Sequence, residues 1–245
     1  SALARPGRHL HAGSRVQFSD RLWCDVLESG VRGERVVQFI CNGDFDEELE
    51  AAGHVPLPPY IHRQDETGDR ERYQTGYAEK KGSVAAPTAG LAFTPEVLAA
   101  CQSRGAQVAQ VTLHVGLGTF QPLPNDEVEQ NELHPEQYEI CGHNAEKLRA
   151  AKRIVAVGTT TVRTLETAAS RGEIVPQTGE TNIFIYPGYE FRATGAMLTN
   201  FHLPKSSLLV LVSAFAGREL VIEAYKHAVA QRYRFFSYGD CMLIV

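Results

Sequence analysis

The stretch RIVAVGTTTVRTLETAASRG, residues 153–172, constrains the fold most. A short apolar run with β-branched residues reads as a buried strand. Gly158 then lets the chain turn, and a helical pattern follows until Gly172. The same order recurs elsewhere. Thr94-Pro95 opens the helix TPEVLAACQSRG, with threonine as cap and proline at the first helical position. The strand AQVAQVTLHV follows it. GHNAEKLRAAK reads as a helix before RIVAVG, and TNIFIYPG and AMLTNF read as strands. KSSLLVLVSAFAG and ELVIEAYKHAVAQRY read as helices, and CMLIV as a last strand. Strands alternating with helices predict an α/β domain with a mostly parallel, or barrel-like, sheet.

The first residues have another texture. Residues 1–43 carry short alternating runs, SRVQFSD, LWCDVLES and ERVVQFI, punctuated by glycines. Period-two alternation with glycine turns predicts a small antiparallel β unit. Residues 1–43 are therefore expected to be part of a small β-barrel domain, and 44–245 the α/β catalytic domain. The barrel part is too short to close alone, which suggests that an N-terminal portion is missing.

Bulk properties exclude several classes. The chain has 245 residues, 43% of them hydrophobic and 22% charged, as in an ordinary folded protein. Its mean hydropathy is -0.22. A net charge of -5 argues against charge-dominated nucleic-acid binding by the whole surface, but leaves room for a local basic patch. Five scattered cysteines with no C-x-x-C spacing predict neither a zinc site nor a disulfide framework, and so a cytoplasmic setting. The longest apolar run is too short for a membrane span, which needs about 20 residues.

Ligands bind at the carboxyl ends of strands in parallel α/β folds, so the residues after each strand are the candidates. After VTLHV come His114 and the glycine-rich Gly116, Gly118 and Thr119. They make either a tight turn or a backbone cradle. After RIVAV come Gly158, Thr159, Thr160 and Thr161, at a helix start that suits an anion. Equally, a threonine there simply caps the helix. Arg163 is placed either to pair with Glu166 on the helix surface or to clamp an anion. After AMLTNF comes TNFHLP, with Thr199, Asn200 and His202. His202 is either a buried structural histidine or a site residue. The acidic stretch NDEVEQNELHPEQYEI offers His134 and Glu136 as an acid/base pair, or is a solvated loop. In GSVAAPTAGLAF, Pro87, Thr88 and Gly90 line either a cavity or a close crossing.

These clusters, with PLPPYI, DRERYQT, VAAPTAGL, IFIYPGYEF and YRFFSYGDCMLI, resemble the S-adenosylmethionine:tRNA ribosyltransferase-isomerases of the queuosine pathway along almost the whole chain. The resemblance implies an α/β domain with an inserted β-barrel, of which residues 1–43 look like the second half. It implies transfer and isomerisation of the ribosyl group of S-adenosylmethionine onto 7-aminomethyl-7-deazaguanine at the wobble position of tRNA. The products are epoxyqueuosine, adenine and methionine. S-adenosylmethionine would be donor substrate, with no further cofactor and no metal. A cytoplasmic monomer acting on tRNA, away from membranes, is expected. His114, His134 and His202 are the expected catalytic groups. Thr88, Gly90, Gly116, Gly118, Thr119, Glu136, Thr159, Thr160, Arg163, Thr199 and Asn200 are expected to bind substrate.

The sulfonium acidifies the adjacent ribose carbon, so a base is needed, and adenine must leave with a hydrogen bond or proton at hand. Arg63, Lys80 and Lys81 are candidates for tRNA phosphates. Three positions depart from the pattern. Ala92 and Asn131 replace usual histidines, and Gly195 an usual aspartate, so three proton-holding side chains are expected to be lost. The alternatives are an impaired relative that binds tRNA or S-adenosylmethionine, or an enzyme acting on a small nucleoside.

Overall fold

The computed structural model describes residues 2–4, 7–30, 33–58, 60–83, 85–116 and 123–245. The chain divides into two compact units, Ser1–Val55 and Pro56–Val245.

In the first unit, β1 (Ala2–Leu3), β2 (Arg15–Gln17), β3 (Leu22–Ser29) and β4 (Glu34–Cys41) form one antiparallel sheet in the order β1-β4-β3-β2. Alternation explains its inner face: Leu22, Cys24 and Val26 are buried while their neighbours are not. A bulge between Val26 and Glu28 shifts the register. Arg35 is buried and donates to the carbonyls of Gly7, Leu10 and Glu34, tying the preceding loop to the sheet. Helix α1 (Phe45–Ala52) starts at Asp44, whose carboxylate accepts from Glu47 N–H at 3.0 Å. Each edge strand has one partner, so no closed barrel forms among the described residues.

The second unit holds α2 (Asp69–Arg72), α3 (Pro95–Ser103), β5 (Thr112–Leu113), β6 (Glu136–Ile140), α4 (Gly142–Ala150) and β7 (Val155–Val157). It continues with α5 (Thr159–Ser170), β8 (Gln177–Thr181), β9 (Ala196–Asn200), α6 (Ser207–Ala216), α7 (Arg218–Ala230) and β10 (Cys241–Ile244). Thr94 caps α3 as expected, accepting from Val97 N–H, with Pro95 in the first turn. One sheet has the order β10-β9-β7 and another β5-β6-β8. Val162, Leu165 and Ala168 on α5 pack in one core with Ile140, Met197, Leu211 and Val212.

The mixed α/β class is found, but the mostly parallel sheet is not. Among the described strands only β7 and β9 pair in parallel, and the other pairs are antiparallel. The reason lies in the connections. Two successive helices, α6 and α7, return the chain from β9 to β10 in the opposite direction. Alternation of element types does not report strand direction. Two strand positions also differ. The regular pairing before Tyr186 runs over Gln177–Thr181, upstream of most of TNIFIYPG. Glu136–Ile140, read with the acidic loop, is a strand with Glu136, Tyr138 and Ile140 turned inward. Its period-two pattern was hidden by inward-facing Glu136.

Candidate functional site

Because β7 and β9 run parallel, their carboxyl ends sit side by side, and Gly158 N–H donates to Leu198 C=O at 2.8 Å. The chain after each strand therefore enters the same space. Gly158 has φ +88, a conformation that side-chain-bearing residues avoid, and it turns β7 directly into α5. No side chain caps α5. Its first-turn N–H groups thus leave a partly positive helix end beside Thr159 and Thr160. Thr161 turns the other way and donates to Val157 C=O at 2.7 Å.

A cavity of about 110 Å³ opens here. Its walls include Thr88 from a 3-10 helix (Thr88–Ala92), Gly158, Thr159 and Thr160 from the α5 turn, and Thr199, Asn200 and His202 from the end of β9. Thr88 donates to Asn200 Oδ1 at 3.0 Å, and Asn200 Nδ2 donates to Cys241 Sγ at 3.4 Å. The Asn200 amide is thereby held between two elements.

His202 is fixed at both its main chain and its ring. Its N–H donates to Tyr225 Oη at 2.7 Å, and its Nε2 lies 2.8 Å from Thr199 Oγ1. Tyr225 is itself held edge-on against Phe201, with centroids 5.2 Å apart. Some ring surface of His202 stays open to the cavity, but dense packing elsewhere strips its solvation. Burial therefore pushes its pKa down to about 4. At neutral pH the imidazole is uncharged, so one ring nitrogen carries a proton and the other does not, and the tautomer sets which of them meets Thr199.

Tyr60 and Ser237 complete the wall and were not singled out from spacing. Tyr60 Oη and Ser237 Oγ are hydrogen-bonded, and Tyr73 Oη lies 3.4 Å from the same Ser237 oxygen. Behind them Arg63 clasps Asp69 through two bonds of 2.6 and 2.8 Å, and Tyr238 Oη donates to Asp69 at 2.9 Å. The Arg63 guanidinium holds the Asp69 carboxyl well below the usual range. The signal for this wall lay only in the motifs PLPPYI and YRFFSYGDCMLI, nearly the length of the unit apart. Of the candidates for phosphate contact, Arg63 is engaged with Asp69 and Lys80 pairs with Glu139.

Other expected site residues lie elsewhere. His114 donates its N–H to Gln137 C=O at 2.8 Å and does not line the described cavity. His134 is exposed on the loop before β6. Gly116 N–H donates to Glu136 Oε1 at 2.9 Å, and Arg163 Nη1 donates to Glu136 Oε2 at 2.6 Å. Arg163 thus reaches the Glu136 carboxylate on β6 rather than pairing with Glu166, one of its two expected placements, and it does not line the described cavity that the other would need. Glu166 is fully buried and accepts from the N–H groups of Arg192, Ala193 and Thr194. Gly90 packs against Tyr77: a Cβ there would lie 2.2 Å from Tyr77 Oη, so its role is a close crossing. Gly118 and Thr119 lie outside the described residues.

Residues 1–244 match the family model for the queuosine biosynthesis protein. The chain belongs to the queuosine biosynthesis protein family. It is 62% identical over 244 residues to the S-adenosylmethionine:tRNA ribosyltransferase-isomerase of Solibacter usitatus (strain Ellin6076), covering 100% of this chain and 68% of that protein. Its fold is similar to the 2.00 Å crystal structure of an S-adenosylmethionine tRNA ribosyltransferase from Thermotoga maritima. That match has a TM-score of 0.54 and 37% identity, over 98% of this chain and 68% of the other.

The three positions expected to depart from the family pattern can now be placed. Gly195 stands just before β9, whereas His202 follows its far end, so Gly195 removes no partner from His202. It sits instead under Arg153: a Cβ there would lie 3.0 Å from Arg153 Cγ. Asn131 is buried and clamps its own loop, donating to the carbonyls of Asn125, Glu127 and Val128. Ala92 ends the 3-10 helix and does not line the cavity. None of the three positions contributes to the described cavity of this family member.

Proposed function

We propose that the chain is an S-adenosylmethionine:tRNA ribosyltransferase-isomerase whose donor site is the cavity around His202. Within it, the ribosyl group of S-adenosylmethionine passes to 7-aminomethyl-7-deazaguanine in tRNA and is isomerised, with release of adenine and methionine. Family membership supports the reaction. The convergence of the uncapped α5 turn, the Thr88–Asn200 pair and the neutral His202–Thr199 pair in one cavity supports the location.

The methionine carboxylate matches the positive start of α5 between Thr159 and Thr160. A neutral His202 suits a cationic neighbour, since an imidazolium would repel the sulfonium. The unprotonated ring nitrogen accepts the proton released beside the sulfur, with Thr199 orienting the ring. Asn200, held by Thr88, supplies amide hydrogen bonds to the departing base or the ribose. No further cofactor enters this scheme. A cytoplasmic monomer, the deazaguanine acceptor, and the division into a partial β-barrel (1–43) and a catalytic domain (44–245) belong to the same proposal. Among the described residues no helix is long and apolar enough to cross a membrane.

The test is to supply S-adenosylmethionine and tRNA carrying the deazaguanine, then to follow adenine by chromatography and tRNA by mass. Adenine release that depends on tRNA, with a matching gain in tRNA mass, is expected. Ligand binding without adenine release would sink the enzymatic reading, and release without tRNA would point to a small-molecule acceptor.

His202 also makes stability depend on pH. The unfolded chain protonates this residue below about 6.5, the folded chain only near 4. Between these values the unfolded state holds more protons, so stability rises with pH across the window and is lost on acidification. The full traverse contributes on the order of 2–3 kcal/mol, tempered by the ring's partial exposure. Urea unfolding at pH 4.5, 5.5 and 7 should show a shallower pH dependence for His202→Gln than for the natural chain. Parallel curves for the two proteins would refute the assignment.

A further inference from the structure

A second cleft lies at the opposite end of the same strands and helix. It is bounded by the segment entering β7, the chain after α5 and the segment entering β9, and its volume is about 460 Å³. Four cations line it, Arg149, Lys152, Arg153 and Arg192, against one acid, Glu173. That is a concentrated positive surface on a chain of net charge -5.

The cations are mostly uncommitted. Lys152 and the Arg192 guanidinium make no hydrogen bond or ion pair among the described residues, and both are exposed. Arg149 meets Glu173 only at 3.9 Å, with the Glu173 side chain 72% exposed and that of Arg149 38% exposed. Arg153 lies over Gly195 and reaches its carbonyl at 3.4 Å, a contact that leaves most of its donors free. Thr194, in the same wall, keeps a buried hydroxyl with no partner among the described residues. Three arginines in one open cleft suit planar, bidentate recognition of phosphate oxygens.

We infer that this cleft binds the phosphate backbone of the tRNA substrate, as a second anchoring surface away from the donor cavity. The inference rests on the proposed tRNA reaction. Span favours a polymer over a small anion. The five residues of β9 put the two ends about 17 Å apart at ~3.3 Å per residue, and the 12 residues of α5 give about 18 Å at 1.5 Å per residue. Successive phosphates on a stacked strand recur about every 3.4 Å, so a handful of nucleotides covers such a distance. A nucleic acid reaching from one end to the other meets both surfaces. The cleft contacts backbone only, so it adds affinity without sequence preference.

The test measures tRNA binding by fluorescence anisotropy at several salt concentrations, beside steady-state kinetics. One variant carries Arg149→Gln, Lys152→Gln, Arg153→Gln and Arg192→Gln. A second carries only Lys152→Glu and Arg192→Glu, which break no described bond and so guard against a folding defect. Affinity is expected to fall at least about ten-fold at moderate salt. The slope of log affinity against log salt should become shallower by about 3 in the four-site variant. KM for tRNA should rise with kcat and S-adenosylmethionine binding kept. Unchanged tRNA affinity and salt slope in both variants would overturn the inference, even if inorganic phosphate were found to bind the cleft. If the natural chain neither binds tRNA nor releases adenine, the proposed reaction fails as well. An active natural chain with unaffected variants sinks the cleft alone.

Discussion

Replacing His202 with alanine is expected to lower tRNA-dependent adenine release by about 10²–10⁴-fold, the range for losing a proton-transfer group. The fold should survive. The anchoring bond to Tyr225 Oη comes from the His202 main chain, which alanine retains. Thr199→Val tests the pairing separately. It removes the hydroxyl 2.8 Å from Nε2 while keeping the shape and β-branching suited to a strand end. It should cost about ten-fold, in line with one hydrogen bond of about 1–1.5 kcal/mol. Single-turnover adenine release and thermal unfolding together decide the matter. A stability loss in His202→Ala with turnover within a few-fold of the natural chain would make His202 a structural histidine.

The second large effect concerns stability. Glu136→Leu is expected to destabilise the protein by about 3–5 kcal/mol, because it strands the Arg163 guanidinium in the interior. Arg163 is 4% exposed and Glu136 is 6% exposed, so neither charge has water to fall back on. Arg163 Nε and Nη2 already lack partners among the described residues, which makes loss of the remaining bond harder to absorb. Gly116 N–H would also lose its acceptor. Removing both charges, Glu136→Leu with Arg163→Met, should cost less than removing Glu136 alone. Urea midpoints of the natural chain, both single variants and the double variant measure the coupling. A Glu136→Leu loss below about 1 kcal/mol would show that the pair is solvated in solution.

The Arg163 result also marks how far spacing reaches. Residues 163 and 166 are three apart on one helix, and the sequence rule pairs them. Both are buried, and each finds a stronger partner from another element: the Glu136 carboxylate for Arg163, and three backbone N–H groups for Glu166. Helical spacing describes exposed faces; burial hands such charges to long-range partners. The same limit explains Gly195. In the sequence it lies near His202 and suggests a missing acid, but an intervening strand carries it to the other end of the sheet.

Much of the site was legible locally. A strand, a glycine with positive φ and a threonine-rich helix start are encoded within a dozen residues, and Gly158, Thr159 and Thr160 do line the cavity. The TNFH segment at the end of β9 is there too. Such positions can be read because strand ends, turns and helix starts follow from local steric and hydrogen-bonding preferences. What the sequence left open was which strand ends meet. The parallel pairing of β7 and β9, the antiparallel return through α6 and α7, and the Tyr60–Ser237 wall join residues up to 177 positions apart. Such contacts depend on how whole elements bury their apolar faces against one another, and no local pattern records that. The sequence by itself determined the α/β character, the family, and the residues that follow β7 and β9. Only the tertiary structure decided that His202, Thr199, Asn200, Thr88 and the α5 turn share one cavity, because packing in three dimensions selects which ends are neighbours.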